Sequence, residues 1–166
     1  MSQPLPQYPS IPVVEAETPA DRDGVLAVVA AAFGPGRFAK TAERLREGAR
    51  PLVSLVARDG GSVVGSVRLW PIRIGEVPAA FLGPIAVDEA WRRSGVGAVL
   101  VERACEEAAA MGLASVLLVG DAPYFGRFGF VRAEGVVLPG PADPRRILIR
   151  TPGGESPRGP VRRDAA

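Results

Sequence analysis

Residues 79–120 constrain this chain more than any other stretch. Two apolar runs, AAFLGPIAV at 79–87 and LASVLLVG at 113–120, flank a segment of helical periodicity at 94–111. In that helix Val96, Val99, Leu100, Ala104, Ala108 and Met111 share one face. Glu102, Arg103, Glu106 and Glu107 lie elsewhere, and Gly112 ends it. Strands joined by a helical crossover run parallel, and the connection is right-handed. The second run is apolar throughout, as in strands buried on both faces. The fold therefore has to be built around a parallel pair.

The turn between the first strand and the helix carries Arg92, Arg93, Ser94, Gly95 and Gly97. The first N–H groups of a helix have no internal partner, and the helix dipole adds partial positive charge there. Gly95 and Gly97 let the backbone approach a bulky phosphate, and the arginines add charge. This pattern reads as a pyrophosphate-binding turn. The alternative for Arg92 and Arg93 is a pair of solvated loop charges.

The remaining elements follow from patterning. Residues 1–10 are Pro-rich and polar and are expected to be flexible. A short strand is expected at 11–17. A helix follows at 19–33, capped by Thr18 with Pro19 at its first position. A second helix, at 38–48, ends at Gly48. Strands at 52–58 and 62–74 form a hairpin about the turn Asp59, Gly60, Gly61. Gly65 suggests a bulge. Pro84 lacks a ladder donor, which suits a bulge or a place where pairing opens. Asp121 and Pro123 start a short helix or turn carrying Tyr124 and Phe125, and Gly129 stops it. Last strands are expected at 130–135 and 145–150, with a disordered tail over 151–166.

Composition excludes several chemistries. There is no histidine among the 166 residues, so Ser-His-Asp and Cys-His mechanisms are absent, as are most transition-metal sites. The lone Cys105 excludes an internal disulfide or a cysteine zinc cluster and reads as a small buried hydrophobe. The net charge is +2, and no basic stripe with interleaved aromatics suggests nucleic acid. No apolar run is long enough to span a bilayer and no secretory signal opens the sequence, so a cytoplasmic location is expected.

Three pieces in order carry a resemblance: a hairpin-rich front half, the Arg92-x-x-Gly95-x-Gly97 turn preceded by Ala86-Val87, and the aromatic segment 125–130 ending in Gly129-Phe130. Over residues 11–150 the chain resembles the GNAT superfamily of N-acetyltransferases. LGPIAVDEAWRRSGVGAVL and GDAPYFGRFGF look like a small bacterial branch of it. The resemblance implies an α/β (α+β) domain over 11–150. Its mixed, twisted central sheet would have about seven strands, splayed into a V between the fourth and fifth and flanked by about four helices. Acetyl-CoA would lie in the gap, with no metal. Ala86 and Val87 would offer backbone contacts to its pantetheine arm. Arg92, Arg93, Ser94, Gly95, Val96, Gly97 and Ala98 would hold the pyrophosphate, and Tyr124 and Phe125 would border the cofactor. The acceptor would be a small-molecule or protein amine, with neither nucleic acid nor membrane as partner. Dimers are common in the family, so a homodimer is among the implied assemblies.

Acetylating an amine needs a proton acceptor, a donor for the developing oxyanion and a proton for the leaving thiolate. A strand N–H at Ile85 or Ala86 is the oxyanion candidate. The family tyrosine stands five residues before the Phe of Gly-Phe, where this chain has Phe125. Its neighbour Tyr124 is then either the general acid or a structural tyrosine. Asp121 is either a weak candidate base or a helix cap, and a water relay is an equal candidate. Trp70, Phe33, Phe38 and Tyr124 are candidates for the acceptor cleft. A non-catalytic acyl-CoA-binding module remains the alternative function.

Overall fold

The computed structural model describes residues 12–33, 45–46 and 48–164. In chain order its strands are β1 (Val13–Ala16), β2 (Val53–Asp59), β3 (Ser62–Ile74), β4 (Val77–Val87), β5 (Val116–Val119), β6 (Val131–Arg132), β7 (Val136–Val137), β8 (Ile147–Arg150) and β9 (Gly159–Arg163). Its helices are α1 (Arg22–Phe33), α2 (Val96–Ala110) and α3 (Ala122–Phe125). The expected helix at 38–48, with Phe38, lies mostly outside the described residues. Residues 1–10 lie wholly outside them.

The mixed sheet runs in the order β1-β2-β3-β4-β5-β8-β6. Along this path only β4 and β5 are parallel, as the crossover through α2 requires. Strand alternation assigns its two faces. Val67, Leu69, Ala80, Leu82 and Leu118 pack with Val96, Leu100, Val101 and Ala104 of α2. Trp70, Ile72, Phe81, Leu117 and Ile149 build a second core on the opposite face. Leu117 and Leu118 point to opposite faces and both are buried, so β5 is covered on both sides, as its continuous apolar run implies. Cys105 is buried in the α2 core. Among the described residues no helix is long and apolar enough to cross a membrane.

The parallel pair joins over a short length. β4 and β5 pair only at Ala80 with Val116 and Phe81 with Leu117. β4 continues to Val87 while β5 turns at Gly120 toward β8, where the Gly120 N–H meets the Arg146 carbonyl. At this divergence Gly83 and Pro84 together face the single residue Arg68 of β3. The extra residue is a β-bulge, and it accommodates the missing proline donor. A second register shift beside Gly65 lies between β2 and β3.

The tail departs from expectation. Residues 159–163 are not disordered but form β9, which pairs with β3 at residues 72–74 and with β7. β2 has left β3 by that point, so the free edge takes β9, and Val161 is 3% exposed in the second core. Pro71 sits at the handover between the two partner strands, its carbonyl accepting the Asp164 N–H. Composition concealed this strand because Pro and Gly flank it and arginines surround its one buried valine.

At the front, Thr18 precedes Pro19 as expected, but the tie runs through Asp21. Its carboxylate accepts the Thr18 N–H and hydroxyl at 2.8 and 3.0 Å. Arg58 of β2 reaches the same carboxylate at 2.5 Å and Glu15 at 2.9 Å. Asp21 is 8% exposed. The Arg58 hydrogen bond, with the Thr18 N–H, holds its carboxyl well below the usual carboxylate range. This knot ties the start of α1 to the sheet.

Candidate active site

The glycine turn forms at the open end of β4. Asp88 accepts the Ala90 N–H at 2.9 Å and starts a single 3-10 turn, Glu89–Trp91. The Ser94 hydroxyl donates to the Trp91 carbonyl and sits 3.4 Å from the Val96 N–H. Gly95 has φ 92°, a left-handed conformation that L side chains adopt at a cost, and it begins α2. The first intrahelical bond runs from the Val99 N–H to the Gly95 carbonyl. The N–H groups of Val96, Gly97 and Ala98 therefore precede the helical ladder.

Gly97 serves a different need. A Cβ there would lie 2.6 Å from the Tyr124 hydroxyl oxygen and 3.6 Å from a Val87 methyl. The glycine thus admits the Tyr124 hydroxyl to the junction of β4 and α2. Tyr124 is half-buried, and burial pushes its phenol above the usual value while the Arg127 charge works the other way. Arg127 lies 5.4 Å over its ring. Phe125 is turned away. Its ring stands at 88° to that of Tyr124, against Phe130 and the open face of Gly120, and it is 8% exposed. Successive helical side chains diverge by about 100°, so Phe125, expected beside the cofactor with Tyr124, packs instead into the core.

The open edge of β4 can be read from its hydrogen bonding. The Asp88 N–H donates to the Val64 carbonyl at 2.8 Å, and the register Val67-Ile85, Ser66-Ala86, Gly65-Val87 is regular. Antiparallel alternation then directs the polar groups of Ala86 toward β3 and those of Ile85 and Val87 toward the gap. Of the two oxyanion candidates, Ile85 has the outward N–H and Ala86 does not. The Ala86 backbone, expected to contact pantetheine, likewise turns its polar groups toward β3. The Val87 carbonyl accepts Arg92 Nε at 3.3 Å, so Arg92 is braced across the turn. Arg93 is exposed with φ 72°.

Asp121 caps α3, its carboxylate accepting the Tyr124 N–H at 3.3 Å. The cap thus sets the orientation of the residue that carries the hydroxyl. Among the described residues no three His, Cys, Asp or Glu side chains are grouped to hold a metal ion.

A cleft of about 560 Å³ opens on the α1 face of the sheet. Val25, Leu26 and Val29 of α1 form one wall; Ser66, Arg68 and Trp70 of β3, with Pro84 and Arg46, complete it. Trp70 was expected here, and its Nε1 donates to the Gly83 carbonyl at 2.5 Å, pinning the bulge. The other lining residues went unnoticed in the sequence. The available signal was the alternation Ser66, Arg68, Trp70, which puts two polar residues on one face in the middle of a largely apolar strand.

A split parallel pair, a bulge at the split and a glycine turn at the head of the crossover helix define an acyltransferase architecture, and the chain belongs to the acetyltransferase (GNAT) family. The family model matches residues 25–130. The chain is 32% identical over 121 residues to the N-acetyltransferase YhbS of Escherichia coli strain K12, covering 71% of this chain and 72% of YhbS. It is also 32% identical over 125 residues to the N-acetyltransferase YjhQ of the same strain, covering 70% and 67%. The crystal structure of Escherichia coli YhbS in complex with CoA superposes with TM-score 0.80 at 27% identity, covering 95% of this chain and 93% of that one. A GNAT family acetyltransferase from Brucella melitensis in complex with acetyl-CoA gives TM-score 0.73 at 27% identity, covering 92% and 96%.

Proposed function

We propose that this protein transfers an acetyl group from acetyl-CoA to a primary amine by direct attack of the amine on the thioester. The observation that carries the proposal is the position of the Tyr124 hydroxyl against Gly97, between the end of β4 and the first turn of α2. The neighbours crystallised with CoA and acetyl-CoA support the choice of co-substrate.

Acetyl-CoA, when bound, supplies a thioester acyl group and a thiolate leaving group. The residues present fit it. The N–H groups of Val96, Gly97 and Ala98, with Gly95 and the Ser94 turn, suit a pyrophosphate, and Arg92 and Arg93 add charge. The outward edge of β4 at Val87 suits an extended amide-bearing chain, as an added strand would.

Ile85 supplies an N–H facing the gap, where charge develops on the carbonyl oxygen as the amine nitrogen bonds to carbon. Tyr124 donates its hydroxyl proton to the departing sulfur. Its raised pKa keeps that proton in place through neutral pH. Asp121 is occupied in capping α3, so water takes the proton from the amine. The 560 Å³ cleft on the α1 face receives the acceptor, which meets the acyl group at the Gly83 and Pro84 bulge. The cytoplasm, where acetyl-CoA is available, is the matching location.

Thiol release tests the proposal directly. Incubation with acetyl-CoA and a panel of primary amines is expected to release free CoA above the hydrolysis blank for at least one amine class. Tight CoA binding with no such release from any amine would contradict the activity and leave an acyl-CoA-binding module.

A further inference from the structure

The lining of the cleft points to the charge of the acceptor. Both charged lining residues, Arg46 and Arg68, are cations, and none of the described residues lining it is a carboxylate. Apart from Ser66, the rest of the wall is apolar: Val25, Leu26, Val29, Trp70 and Pro84. An amine with an apolar body and an oxyanion would find partners for both parts.

Arg68 is built for the anion. Glu17 takes its Nε and Nη2 edge at 3.3 and 2.8 Å, fixing the guanidinium plane. Nη1 donates to no described residue. A guanidinium presents several donors in a rigid fork, so the second edge can pair with a carboxylate or phosphate while the first stays braced.

Ser66 is two positions away on the same face, 2% exposed, and lines the cleft. Its hydroxyl makes no hydrogen bond to a described residue. A hydroxyl lining the cleft beside Arg68 can donate to the same bound anion. Arg68 also stands directly opposite Gly83 and Pro84. An anion held there lies beside the opening through which the acyl group would be reached.

Resting on the acetyltransferase reading above, we infer that the acceptor is a small amine carrying an oxyanion and an apolar body, its anion bound by Arg68 and Ser66. An apolar α-amino acid has this chemistry, and so does an aminophosphonate.

The test uses matched amines on the full chain: leucine, its decarboxylated counterpart isoamylamine, and the phosphonate analogue of leucine. Initial rates of thiol release give kcat/KM, and tryptophan fluorescence with CoA present reports binding through Trp70 independently of turnover. The expected kcat/KM for an anionic member is about tenfold or more above that for isoamylamine. Whether leucine or the phosphonate leads identifies the oxyanion.

Arg68→Met should bring the ratio near one, and Arg68→Lys should restore part of it. Glu17→Gln, which removes the competing carboxylate and keeps the arginine, should raise it. Preference for isoamylamine, or an unchanged ratio in Arg68→Met, would overturn the inference. If no amine releases thiol, the proposed activity fails. The fluorescence arm still decides the charge preference: anion-dependent binding lost in Arg68→Met supports it, and equal binding of the amines or none sinks it.

Discussion

Tyr124 and Phe125 show how much one position matters on a short helix. The two rings are 4.9 Å apart, yet one hydroxyl reaches the head of α2 and the other ring fills the core beside Gly120. A family pattern counted back from Phe130 lands on Phe125, and the reach of Tyr124 became visible only through Gly97. Tyr124→Phe is expected to lower kcat by about tenfold or more, within the usual range for loss of a general acid. It should also flatten the alkaline limb of the pH profile. That limb falls where the phenol loses its proton, above the usual tyrosine value because burial raises it. An unchanged kcat would remove Tyr124 from the mechanism. Gly97→Ala tests the same contact from the other side. The new methyl would occupy the place of the Tyr124 hydroxyl, so kcat should drop and KM for acetyl-CoA should rise, each by about tenfold. The thermal midpoint should stay close to that of the parent, since the displaced tyrosine is half-buried. Asp121→Asn separates cap from base: an amide still accepts the Tyr124 N–H, so retained kcat is expected and a large loss would reinstate the carboxylate as base.

At the scale of elements, pairing and local charge explain what composition obscured. The tail looked disordered because it is rich in Pro, Gly and Arg, but β3 is longer than β2 and leaves backbone groups unpaired at residues 72–74. β9 satisfies them. Removing residues 157–166 should therefore lower Tm by about 5 °C or more, from the exposed Val161 site and the uncovered edge. An unchanged Tm in differential scanning calorimetry would mean β9 contributes nothing. The Asp21 knot makes an acid-sensitive joint between α1 and the sheet. Its carboxyl titrates lower in the folded chain than in the unfolded one. The stabilisation is therefore complete above the unfolded value of about 3.9 and is lost as pH falls through the folded one. Asp21→Asn should be less stable at neutral pH and show a shallower loss below about pH 4. Parallel acid-unfolding slopes for variant and parent would contradict this.

Across the whole molecule, the split between β4 and β5 lets the two faces cooperate. α2 and its glycine turn belong to one face and the 560 Å³ cleft to the other, and the bulge at Gly83 and Pro84 lies where they meet. The sequence allowed the parallel pair, the crossover, the glycine turn and the interruption at Pro84 to be read, because each follows from local periodicity or from the special backbone needs of Gly and Pro. The cleft was less legible. It assembles Val25 and Val29 with Ser66 and Arg68, residues far apart in the chain whose juxtaposition depends on how α1 lies across β3 and β4. The assignment of Ile85 over Ala86 depends on register, which a single bulge shifts by one residue.

The central claim is that acetyl-CoA binds across the head of α2 and along the open edge of β4. An amide-resolved NMR titration of the isotope-labelled protein with CoA tests it most directly. The largest shifts are expected at the N–H groups of Val96, Gly97, Ala98, Ile85 and Val87, with Ala86, turned toward β3, moving less. Saturable binding whose shifts cluster elsewhere, or the absence of any response at these residues, would contradict it.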